Sequence, residues 1–128
     1  MMTRSPEKQF RLLAVTMEEL IPENHFLRKL DAAISFDFVY DIVAPLYSAQ
    51  GRPSIDPVIL VKMLLLGYLY GIDSERKLAE EVRYNIAYRW YLGFDLDDAT
   101  PDHSTFSQNR RRRFKGHEVF RQIFDIAM

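Results

Sequence analysis

Four consecutive arginines, Arg110 to Arg113, followed by Lys115, form the densest chemistry-bearing group in this chain. Cationic side chains set this close neutralise phosphates, and each phosphate contact on a duplex adds a salt-dependent term to affinity through counterion release. The adjoining Gln108 and Asn109 carry amides able to reach adenine edges, and Asn85 and Arg89 carry the side chains that pair bidentately with adenine and guanine in a major groove. Arg110, Arg111, Arg112, Arg113, Lys115, Asn85 and Arg89 are therefore the candidate DNA-binding residues. The competing reading is a solvated helix face in which one or two arginines pair with Glu118, Asp125 or the acids that precede the run.

Other groupings point away from catalysis. Asp95, Asp97, Asp98 and Asp102 are the one dense carboxylate group, but their spacing lacks the glycine and terminal glutamate of a calcium loop. They read as solvated loop acids plus a helix cap. His25, His103 and His117 are too far apart to pair on zinc, and the absence of cysteine excludes disulfides and thiolate metal sites. No glycine-rich phosphate loop or nucleophile elbow occurs. No cofactor or metal is expected, nor an autonomous enzyme.

The elements that must position these residues are all helical in pattern. Asp102 and Ser104 supply oxygens for a first helical turn, so the Arg-rich helix is predicted to start near residues 102 to 104, with Phe106 and Phe114 anchoring its inner face. Pro22 is expected to set a first helix over about 23–33, and the recurrence of Phe38, Ile42 and Leu46 a second over about 36–47, with Pro45 near its end. Gly51-Arg52-Pro53 breaks the chain. Asp56 before Pro57 is a strong helix start, and the run that follows, apolar on nearly every side, reads as the central helix, closed by Gly71. Ser74 caps a helix to about residue 83, a short break at Tyr84-Asn85 leads to another through Leu92, and Gly93 ends it. That closely spaced pair is a helix-turn-helix candidate. An acidic loop to Thr100 and a last amphipathic helix carrying Val119, Phe120, Ile123, Phe124 and Ile126 complete an all-α, compact multi-helix domain.

With 128 residues and 48% hydrophobic content, the chain suits one domain with one core, residues 16–128, after a flexible leader over residues 1–15. The formal charge is −1, but its distribution is uneven: residues 1–50 hold five basic and seven acidic side chains, residues 51–100 six and eight, and residues 101–128 six and three. Positive charge thus gathers at the end where the arginines lie, favouring phosphate. The apolar run from Val58 to Ile72 is shorter than the ~20 residues a bilayer needs and carries Lys62, so no membrane partner is expected, and the lack of cysteine agrees with a cytoplasmic setting.

Three blocks in order, Gly51-Arg52-Pro53-Ser54-Ile55-Asp56-Pro57 with its apolar run, Ala87-Tyr88-Arg89-Trp90-Tyr91-Leu92-Gly93-Phe94, and Pro101-Asp102-His103-Ser104-Thr105-Phe106, are joined upstream by Leu20-Ile21-Pro22-Glu23-Asn24-His25-Phe26-Leu27-Arg28. Together they resemble the N-terminal domain of DDE-type transposases of bacterial insertion sequences, over roughly residues 10 to 115. The resemblance implies a DNA-binding and assembly domain that recognises the terminal inverted repeats of a transposon. It also implies a ribonuclease H-like catalytic domain elsewhere, for which the residues after 115 leave no room, so that domain is expected to be absent here. Two alternatives stand beside this reading: a protein–protein module that forms a homodimer, and a truncated remnant that regulates a full-length transposase.

Overall fold

Asp56 and Pro57 set the axis of the fold. In the computed structural model, which describes residues 1–46, 55–113 and 118–127, the Asp56 carboxylate accepts the Val58 N–H at 2.8 Å and Pro57 occupies the first helical position, where a missing N–H costs nothing. The resulting helix, α4 (Pro57–Leu69), buries Leu60, Val61, Met63, Leu65 and Leu66, and its neighbours are α3 (Phe38–Val43), α5 (Glu75–Tyr84), α6 (Ile86–Leu92) and α7 (His103–Arg113). The expected central helix is thus in place. The described residues contain only helices and connecting segments, and the family of elements is completed by α1 (Met17–Leu20), α2 (Phe26–Ala33) and α8 (Glu118–Ala127).

Boundaries follow local chemistry. The first long helix does not begin after Pro22: residues 22 to 25 form a turn, and α2 starts at Phe26 because His25 Nδ1 accepts the Leu27 N–H at 3.0 Å. The short α1 was not foreseen, and Thr16 caps it through the Glu19 N–H. The predicted helix over 36–47 is shorter, α3 giving way to a 3-10 turn over Ala44–Leu46, since Pro45 has no N–H to continue the α ladder. Residues 1 to 15 are exposed and carry no regular structure. The Gly51-Arg52-Pro53 break lies outside the described residues.

Two bridges bind the outer helices to this core. Arg28 on α2 places its guanidinium on the Glu18 carboxylate and on the backbone oxygens of Glu18, Ile21 and Pro22, and it stacks 4.8 Å over the Trp90 ring of α6. Trp90 Nε1 in turn donates to Glu18 at 2.6 Å. Lys62, the one charge within α4, lies 4.7 Å over the Tyr91 ring, donates to the Tyr91 carbonyl and approaches Asp31 at 3.7 Å, so its ammonium is held in a largely buried place. On the opposite side α7 is anchored by Phe106, which is fully buried in the same core.

Candidate nucleic-acid interface

The Arg-rich helix begins where the cap demands. Asp102 accepts the Thr105 N–H at 2.7 Å, and this bond, with the Thr105 hydroxyl, holds the Asp102 carboxyl below its usual range. Phe106 turns inward, and Asn109 fastens the next turn: its Oδ1 accepts the Ile55 N–H at 3.3 Å while its Nδ2 donates to the Thr105 carbonyl at 2.8 Å. Asn109 is thereby committed to joining α7 to the start of α4. Ser104, Thr105, Gln108 and Arg111 lie on the exposed side.

Arg110 and Arg111 have different surroundings. Glu75, at the first position of α5, takes both the Arg110 guanidinium and the Ser107 hydroxyl, so α5 and α7 are pinned together by one half-buried carboxylate. The competing reading paired one or two arginines with Glu118, Asp125 or the acidic loop. Glu75 is 35 residues away, and no local pattern could have signalled it. Arg111 is exposed, donates weakly to the Ser107 carbonyl at 3.4 Å, and forms no ion pair with a carboxylate of the described residues. Arg112 and Arg113 belong to the last turn of α7, but their side chains, and Lys115 altogether, lie outside the described residues.

The second candidate surface takes a different form from the one expected. Asn85 alone joins α5 to α6, closing the first and capping the second through the Tyr88 N–H at 3.1 Å, where a helix-turn-helix uses a turn of about three to four residues. Arg89 is only 9% exposed: its Nε donates to the Arg83 carbonyl at 2.7 Å and its Nη1 to the carbonyls of Asp95 and Asp98 at 2.7 and 3.0 Å. A guanidinium so placed ties the acidic loop to the end of α5, its Nε and Nη1 donors already spent on backbone oxygens. Tyr88, Tyr91 and Leu92 are buried beside it, so this side of α6 packs against the core. The loop acids are used locally, Asp98 accepting the Asp95 N–H at 2.7 Å. Among the described residues no three His, Cys, Asp or Glu side chains converge on a metal position.

A family model described as Transposase domain (DUF772) matches residues 15–112, which include α1 through all but the last residue of α7. The chain belongs to this transposase-domain family. No curated protein and no solved structure matches it. The matched region contains Glu75, Asn85, Arg89, Arg110 and Arg111. Sequence reasoning had placed Arg76 on a solvated helix face without linking it to α7: it is exposed on the first turn of α5, and its Nη2 lies 3.5 Å from His103 Nε2 at the start of α7. A polar cleft of about 470 Å³ follows, but Asp97, Asp98 and Asp102 line it together with Arg76 and Arg83, so its charge is mixed. No described helix is long and apolar enough to cross a membrane.

Proposed function

We propose that this transposase domain binds duplex DNA at transposon ends and holds it for transposition, with α7 as the contacting element. The observation that carries the reading is Arg111, an exposed cation unpaired with any described carboxylate, on a helix rigidly fastened through Phe106 and Asn109 and bearing three more arginines. A fixed helix presents cations without the entropy cost of ordering a loop, and phosphate attracts them at any sequence. Arg76, exposed on α5 and 3.5 Å from His103, adds a cation beside the start of α7.

Fluorescence anisotropy with labelled duplexes, one carrying the terminal inverted repeat of the element and one scrambled, tests this. Affinity should fall steeply as salt rises, and the repeat should bind more tightly at every salt concentration. Absence of binding to either duplex in about 50 mM salt, where several phosphate contacts retain most of their strength, would refute it. Subunit association is a second reading, favoured by Tyr68 and Tyr84, which are 80% and 73% exposed. Sedimentation equilibrium decides it, a monomer at all concentrations excluding a homodimer of the isolated chain.

A further inference from the structure

We infer that α7 is the helix that enters the major groove, with Gln108 as its central base-reading residue. This rests on the DNA-binding reading above and assigns the surface that gives it sequence preference. Ser104, Thr105, Gln108 and Arg111 are exposed, and their spacing places them on one continuous stripe of α7. The stripe holds hydroxyls, an amide and a guanidinium, the groups that match base-edge donors and acceptors, and none of its members is apolar. Opposite it, Phe106 is buried and Asn109 and Arg110 are tied to Ile55 and Glu75, so the stripe cannot rotate away.

Dimensions and charge fit the same partner. Eleven residues make a helix about 16 Å long, and a helix about 10–12 Å across is admitted by a groove about 12 Å wide. Arg76 on α5 lies beside the first turn of α7, its Nη2 3.5 Å from His103 Nε2, where it offsets part of the acidic charge at that end. Asp102, Asp97, Asp98 and Glu80 oppose phosphate near that end, which sets the arginine end of α7 deepest in the negative field. The other helix offered as a candidate from sequence, α6, presents no comparable stripe, since Tyr88, Arg89, Tyr91 and Leu92 are buried.

The test is selection from a pool of duplexes randomised over 20 base pairs, using the full 128-residue chain and its Gln108→Ala variant at one salt concentration. Gln108 is exposed, so the variant should fold, which circular dichroism checks. The native chain should enrich a motif, and Gln108→Ala should lose about 5- to 100-fold preference at one or two adjacent base pairs, the range one bidentate contact supplies. Affinity for unselected duplex should stay within about twofold, because phosphate contacts are untouched. An identical motif of equal strength from the variant overturns the assignment of Gln108. Retention of the pool without any motif overturns groove reading while leaving phosphate binding intact, whereas failure to retain the pool at all sinks the DNA-binding reading itself.

Discussion

Arg89 and Arg111 carry the same side chain into opposite environments. Both stand out in the sequence as groove or phosphate ligands, because residue type alone does not reveal burial. The fold separates them: Arg89 gives its donors to three backbone oxygens, while Arg111 remains on the surface. Arg89→Met, which keeps bulk and removes the donors, should lower the urea midpoint by about 1–3 kcal/mol of stability, since the carbonyls lose a charged partner. The salt dependence of DNA binding by the folded variant should not change. A changed slope with unchanged stability would contradict the structural role given to it. Glu75 makes the converse case, a residue with no functional signature that neutralises Arg110. Glu75→Gln leaves an acceptor for Ser107 and frees the Arg110 charge, so duplex affinity should rise and the salt slope steepen by up to about 0.9, one added phosphate contact. Weaker binding by a folded Glu75→Gln protein would show that the ion pair aids DNA binding.

At the scale of elements, sequence chemistry was most legible where a cap and an apolar period agree. Asp56-Pro57, Ser74 and Asp102 each start the helix they announce, and the left-handed Gly93, at φ +88°, ends α6 as expected. The misplacements arise where a proline was read as a start although a nearby turn moved the cap to His25, and where Pro45 converted an α ladder to 3-10 geometry. What stayed hidden was which side of each helix packs, because α7 is polar nearly throughout and its inward side is decided by Phe106 and by contacts from α5. Phe106→Ala should therefore cost about 3–5 kcal/mol, measured by chemical denaturation, and weaken DNA binding by loosening α7. Loss of less than about 1 kcal/mol would deny that Phe106 anchors the helix.

The cap of α7 also predicts a pH response. Because the Thr105 N–H holds the Asp102 carboxyl below its unfolded range, the stabilisation is complete above about pH 4 and is lost as pH falls through the lower, folded value. Glu18, lowered chiefly by Arg28 and then by Trp90, contributes in the same sense. Asp102→Asn caps without titrating, so its stability should fall less steeply in acid than that of the native chain. Parallel acid limbs in the two thermal melts would argue against this cap.

For the molecule as a whole, the near-neutral net charge conceals a division of labour. Acidic side chains outnumber basic ones over residues 1–100, and the excess positive charge lies in residues 101–128, which include α7. Under the proposed DNA-binding reading, a field of that kind would steer a duplex toward α7, an effect that depends on distribution and not on the total. The family was legible because its motifs sit at caps and core positions that the fold requires, whereas the binding surface was legible only in outline, since exposure depends on contacts 35 and 54 residues apart.

The central claim, that the arginines of α7 form the phosphate-binding surface, is tested most directly by the salt slope of duplex binding after Arg110, Arg111, Arg112 and Arg113 are all replaced by glutamine. Glutamine keeps helix propensity nearly level, so the fold should survive apart from the lost Arg110 pair. If two or three of the four contact phosphate, the slope of log affinity against log salt should flatten by about 0.9 for each, equally on cognate and random duplexes. A folded variant with the native slope and affinity would contradict the account and move the binding surface off α7.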